Sequence, residues 1–136
     1  MDIKEFFCND RFAMEAGVRL TEVRPGYSKA EMALTPNHMN AGGTTQGGAI
    51  FTLADLALAA AANSYGKLAL SLDASIHFFH PSKPGDTLTA EAKEKYIHKR
   101  TGYYQVEVRN QDGELIACFD TTVYRKDTSL PFSTDY

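Results

Sequence analysis

The chain has 136 residues and a formal charge of −3, so there is room for one domain with a substantial core and no field that would draw in nucleic acid. Hydrophobic residues at 43% against 23% charged are the balance of an ordinary soluble globular protein. The two cysteines, Cys8 and Cys118, lack CxxC spacing and no signal peptide accompanies them, which points to reduced thiols and a cytoplasmic protein.

Residues 1–16 read as an N-terminal helical segment in which Ile3, Phe6, Phe7 and Phe12 are available to cover part of the core. Asn9 is placed to cap a second short helix through Ala16, and Gly17 to end it. Two short strands follow, Val18 to Arg24 and Tyr27 to Thr35, separated by the turn pair Pro25-Gly26. Pro36 to Gln46 is a polar, glycine-bearing loop.

From Gly47 to Tyr65 nearly every side chain is apolar or small, and Gly66 stops the run. Alanines at 54, 57 and 59–62 favour a helix, while Ile50, Phe51, Leu53, Leu56 and Leu58 supply bulk, so this helix is buried on most of its circumference. Its length approaches that of a membrane span, but Thr52, Asp55, Asn63 and Ser64 leave it too polar to insert, and no membrane partner is expected. Asp55 is its only formal charge. An ionised carboxylate there costs several kcal/mol unless it is partnered or wet, which makes it a candidate for chemistry.

Gly47 and Gly48 fall in the first turn, where backbone amides lack intrahelical partners and a ligand oxygen can approach closely. Asp55 stands eight residues later, roughly 12 Å along the same helix. The two groups of one chain therefore cannot act on one bond. Two antiparallel copies of the helix in a symmetric dimer would bring Gly47 of one chain near Asp55 of the other.

After the helix the period changes to two. Leu68, Leu70, Leu72, Ala74, Ile76 and Phe78 share one face of a strand expected to run unbroken to Pro81, with Ser71 and Asp73 on the other face. The Pro84-Gly85-Asp86 turn opens a long strand through about His98, Lys99 to Gly102 turns the chain, and Tyr104, Val106 and Val108 mark the next strand. Asp112-Gly113 makes a further hairpin into Glu114 to Arg125, and residues 126–136 are expected to be a loose tail. The hairpins imply an antiparallel meander, and the whole an α+β domain in which a curved antiparallel sheet wraps one long central helix.

This layout resembles the hotdog fold from about Gly17 to Arg125. More narrowly, Asn40, Gly47-Gly48 and Leu53-Ala54-Asp55 resemble the signature of acyl-CoA thioesterases of the phenylacetate-degradation type, with Gln46 standing where that pattern has His. The resemblance implies that Asn40 and the Gly47 amide polarise the thioester carbonyl. Across a dimer interface, Asp55 would act as general base or nucleophile, and Ser71 would help hold the attacking water. Gln46 and Gly48 become substrate contacts. The implied protein is a homodimer or homotetramer acting on medium-chain or aromatic acyl-CoA, with coenzyme A as part of the substrate and no separate cofactor.

The chemistry of the residues agrees: thioester attack builds charge on the carbonyl oxygen, and a carboxylate within reach of water can take its proton. Bland roles compete. Asp55 as a satisfied buried carboxylate, Asn40 as a loop-holding side chain and Ser71 as a filler are the structural alternatives. The hotdog fold also admits a hydratase or dehydratase, which needs a histidine, and a noncatalytic acyl-CoA binding module is the reading outside enzymes. His38, His77, His80 and His98 form no metal spacing. Lys99 and Arg100 at a hairpin, with Lys83 at a strand end, are candidates for contacts with coenzyme A phosphates.

Overall fold

In the computed structural model, which describes residues 1–136, two short helices, α1 (Ile3–Phe7) and α2 (Arg11–Ala16), precede strands β1 (Val18–Arg24) and β2 (Tyr27–Ala33). A 3-10 turn at Pro36–His38 leads to the long helix α3 (Gly47–Ala62). Strands β3 (Lys67–Ser71), β4 (Ser75–Phe78), β5 (Thr87–Ile97), β6 (Thr101–Arg109) and β7 (Leu115–Ser129) complete the chain. The strands form one antiparallel sheet in the order β1-β2-β5-β6-β7-β3, with β4 also paired to β7.

The sheet curls around α3, which packs chiefly on β2, β5 and β6. Small side chains permit that approach. Ala54, Ala57, Ala60 and Ala61 on the helix and Ala30, Ala90 and Ala92 on the sheet are all 0% exposed, and Ala30 faces Ala90 in the β2–β5 register. Leu53, Leu56, Leu88, Tyr104, Val106 and Phe119, each at most 1% exposed, fill the space around them. The Ser28 hydroxyl donates to the Ala57 carbonyl, tying strand to helix inside the core.

The stretch after α3 departs from the expected single strand. β3 and β4 are separate, and from Ser71↔Val123 to Ser75↔Asp120 this side advances four residues while β7 advances three. The extra residue is absorbed at Leu72–Ala74, where Asp73 accepts the Thr122 N–H at 2.9 Å and its carbonyl accepts the Thr121 hydroxyl. Across β3 the inward face is also reversed: Ala69 is buried, whereas Leu70 and, just beyond the strand, Leu72 are 48% and 62% exposed; past the bulge, in β4, Ile76 packs on the core as expected.

Asn63 is the reason. Its buried side chain accepts the Ala69 N–H at 2.8 Å and donates to the Ala69 carbonyl at 3.3 Å, so the strand is clamped with its smallest residue against the end of α3. Asn63→Ala is expected to cost about 2–3 kcal/mol, because both buried backbone groups lose their partner, and to appear as a lower urea midpoint.

Other boundaries shift for local reasons. α3 ends at Ala62, three residues before Tyr65, and Gly66 takes φ +81°. Asp10, not Asn9, caps α2 by accepting the Ala13 N–H at 3.1 Å, while Asn9 bonds back to Phe6. Phe12 is 74% exposed, since α2 turns Ala13 inward instead. Residues 126–136 are not a loose tail here: β7 continues to Ser129, Leu130 N–H donates to the Gly66 carbonyl, Phe132 packs on Phe6, and the Tyr136 hydroxyl donates to the Ser64 carbonyl. They close over the C-terminal end of α3.

Candidate active site

The entry to α3 is a small closed loop. Met39 bridges Thr45, Asn40 N–H donates to the Thr44 carbonyl at 2.7 Å, and Gln46 N–H donates to the His38 carbonyl at 2.8 Å. Thr45 and Ser82, both buried, bond through their hydroxyls at 2.7 Å and anchor this loop to the segment after β4. Gln46 then caps the helix: its side-chain oxygen accepts the Ala49 N–H at 3.2 Å, and its carbonyl accepts from Ala49 and Ile50. The N–H groups of Gly47 and Gly48 are left without partners. They are donors at the positive end of a sixteen-residue helix.

Both glycines lie close against neighbouring side chains. A Cβ on Gly47 would lie 3.0 Å from the Phe78 ring, and one on Gly48 would lie 2.5 Å from the Gln46 side-chain oxygen. Gly48→Ala should therefore expel the Gln46 cap. The lost cap costs about 1 kcal/mol and the gained alanine propensity returns about as much, so thermal midpoint should barely move while turnover falls with the displaced helix start.

Two clefts flank this turn. One of about 430 Å³ lies between Gly47, Ile50, Phe78 and Phe79, and the other, of about 610 Å³, lies between α2 and α3 beside Gln46, Gly48 and Thr52. Gln46 thus serves first as a cap, with its side-chain oxygen spent on Ala49, and the residue also lines the second cleft.

Asp55 sits on a less buried stripe of α3 together with Gly48, Thr52 and Ala59, beside Phe51, whose ring packs edge-on against Phe119 of β7. It is half-buried, and burial pushes its carboxyl above the usual value, with the nearby Asp10 carboxylate acting in the same direction. No hydrogen bond or cation offsets that. A carboxylate in this condition is not a satisfied core group; its affinity for a proton is raised and it stands at the edge of water.

The remaining expected site residues are dispersed. Asn40 spends its side chain on its own loop, accepting from Gly42 and Thr44 N–H groups at 2.9 and 3.1 Å and donating to the Thr44 hydroxyl, and it lines neither cleft. Ser71 is exposed on β3 opposite Val123 and is not bonded to Asp55 within the chain. Asp73, expected on the same strand face as Ser71, is committed to β7. Lys83 and the Lys99-Arg100 pair lie beyond opposite ends of β5, an eleven-residue strand spanning about 35 Å, so one chain cannot bring all three to one phosphate.

Phe78 and Phe79 were not among the expected site residues, yet both line the cleft beside Gly47. The alternation placed Phe78 on the core face; adjacent aromatics before Pro81 were the available signal that one must face outward.

A family model described as the thioesterase superfamily matches residues 42–117, more than half of the chain, a span that holds Gln46, Gly47, Gly48, Asp55 and Ser71. The chain belongs to the thioesterase superfamily. It is 41% identical over 130 residues to a putative esterase of Archaeoglobus fulgidus, covering 95% of this chain and 84% of that one. It is 36% identical over 111 residues to the acyl-coenzyme A thioesterase PaaI of Escherichia coli, covering 82% and 79%. The structure of the E. coli PaaI protein from the phenylacetic acid degradation operon superposes with a TM-score of 0.89 at 32% identity, covering 93% of this chain and 92% of that one. This thioesterase is a PaaI-like member with the hotdog fold.

Proposed function

We propose that this thioesterase hydrolyses medium-chain or aromatic acyl-CoA to the free acid and coenzyme A, in sites shared between two protomers of a homodimer or of a tetramer made of two such dimers. The observation that carries the reading is Asp55, half-buried and unpartnered on the less buried stripe of the helix whose first turn presents two free amides. The name of the E. coli relative supports the substrate class.

Gly47 and Asp55 of one chain are about 12 Å apart along α3, too far to serve one carbonyl. An antiparallel second copy answers this. The sheet edge formed by β3 and β4 is unpaired on one side and carries Leu70, Leu72, Phe78 and Phe79, the last 59% exposed, as an apolar margin for that copy.

In such a pair the Gly47 N–H donates to the carbonyl oxygen as negative charge develops on it, and Asn40 adds its remaining amide hydrogen if its loop shifts toward the substrate. Asp55 of the partner subunit takes a proton from water as the water oxygen bonds to the carbonyl carbon, and Ser71 holds that water. Collapse of the tetrahedral intermediate expels coenzyme A as a thiolate, a leaving group that needs no strong acid. Phe78 and Phe79 supply an apolar wall for the acyl chain, and the scheme calls on no cofactor beyond the substrate's own coenzyme A.

The test is an acyl-CoA panel with a thiol-detecting reagent, run beside Asp55→Ala. Thiol release that disappears in the variant is the expected result, and release by neither protein, or equally by both, would sink the reading.

A further inference from the structure

His38 belongs to the loop before α3, and its ring is bonded through both nitrogens. The Thr35 N–H donates to Nδ1 at 2.9 Å, and Nε2 lies 2.6 Å from the Ala16 carbonyl. A backbone N–H can only donate and a carbonyl can only accept, so Nδ1 carries the lone pair and Nε2 the proton. The two bonds together select one tautomer of the neutral ring.

Those bonds join pieces of chain that are distant in sequence. Thr35 follows β2, and there the Nδ1 bond is half of a reciprocal cap on the 3-10 turn, the Thr35 hydroxyl accepting the Asn37 N–H in return. Ala16 is the last residue of α2, where a carbonyl has no intrahelical donor, and the ring N–H supplies one. α2 has only six residues and a single buried side chain, Ala13, so this bond fixes its far end.

From the ring the hold passes along the backbone to the helix start. The His38 carbonyl accepts the Gln46 N–H at 2.8 Å, and Gly47 and Gly48 with their free amides come next. The intervening loop is closed on itself by Met39 with Thr45 and Asn40 with Thr44, and its other anchor is the buried Thr45–Ser82 hydroxyl pair. The direction of the Gly47 N–H is therefore set from two points, and His38 is one of them.

We propose that His38 is a positioning residue for the hydrolysis: by tying the end of β2 to the end of α2, its ring fixes the carbonyl that aims the first turn of α3, and with it the Gly47 amide. The assignment rests on the function proposed above, which gives that amide its work. Both ring nitrogens are spent on the chain, so His38 takes no proton from water or substrate. The residue also lines the cleft of about 610 Å³ together with Ala16, Gln46 and Gly48, so releasing the ring loosens α2 and the helix start together.

Nitrogen-15 NMR of the resting, histidine-labelled protein should show the His38 proton on Nε2, assigned through the signal that His38→Asn removes. Substitutions then separate bonding from bulk. His38→Ala loses both ties, and His38→Phe keeps a ring without either. Both should lower kcat on acyl-CoA about thirtyfold with KM within about twofold, as for a group whose effect is felt only in the transition state. His38→Asn, whose oxygen stands in for Nδ1, and His38→Gln, whose amide stands in for the Nε2–H, should each recover about fivefold of that loss.

Without any substrate, the Gln46 amide should exchange with solvent about tenfold faster in the Ala and Phe variants than in the wild type. Full kcat in His38→Phe would overturn the assignment, since the ring would then only fill space. A proton on Nδ1, or a loss confined to KM, would overturn it as well. Should the wild type hydrolyse no acyl-CoA, the hydrolase reading falls and the exchange rates decide the tether alone: faster exchange in His38→Phe upholds it, and an unchanged rate removes it.

Discussion

Asp55→Asn is expected to lower kcat/KM about a thousandfold while making the folded chain more stable. The first effect follows from the work assigned to the carboxylate: general-base assistance to water accounts for roughly 10²–10⁴ in rate, or about 4 kcal/mol of barrier at the middle of that range. The second follows from its surroundings. Burial raises its carboxyl above the ordinary 3.8, and no donor or cation compensates. Between the unfolded and the folded value, the folded chain holds a proton that the unfolded chain has released, so stability declines as pH rises through that window.

Above the window the charged side chain is a standing cost. An uncharged isostere removes it, for a gain of about 1 kcal/mol by urea titration at neutral pH. Wild-type kcat/KM should correspondingly fall on the acid side at a pH above that of an ordinary aspartate. A variant that loses stability, or that keeps its turnover, would show instead that Asp55 holds the fold.

Mixing two inactive variants should restore activity, with the recovered amount fixed by symmetry. Gly47→Val places a branched side chain against the Phe78 ring and over the free amide, so it removes the carbonyl donor, and Asp55→Asn removes the base. Each homodimer is dead at both sites. In a dimer holding one chain of each kind, one site combines the intact Gly47 of the Asp55→Asn chain with the intact Asp55 of the Gly47→Val chain. Random re-pairing after co-expression then yields about a quarter of the wild-type activity per site. If the reacting groups came from a single chain, no mixture would recover anything. The same experiment reports assembly, because a protein that stays monomeric shows no recovery at any ratio.

The central helix was legible because its signal is local. Its alanine bias, its apolar bulk at Leu53 and Leu56 and the glycines at its start need no knowledge of what lies opposite, and β5, β6 and β7 announced themselves through strict alternation between turns. Asp55 stood out for a related reason, as the only charge in an apolar run. The stretch from Leu68 to Leu72 read wrongly because both period-2 faces were plausible there. Leucines on one face suggested the core, yet Asn63, six residues before Ala69 in sequence and packed against it in space, decided that Ala69 would turn inward. Asn40 and Gln46 were identified as site residues by resemblance, and their side chains turn out to be occupied in shaping the loop and capping the helix.

What the amino-acid order determined alone is the set of elements and the presence of an ill-placed carboxylate, since propensity, periodicity and the cost of burying charge depend on neighbours within a few positions. Only the tertiary structure decided that Asp55 lacks a partner, that Phe78 covers Gly47, that the leucines of β3 face outward, and that the His38 ring ties the ends of β2 and α2 together. Those outcomes depend on which strands pair across the helix. Pairing is settled by long-range packing that no local pattern encodes.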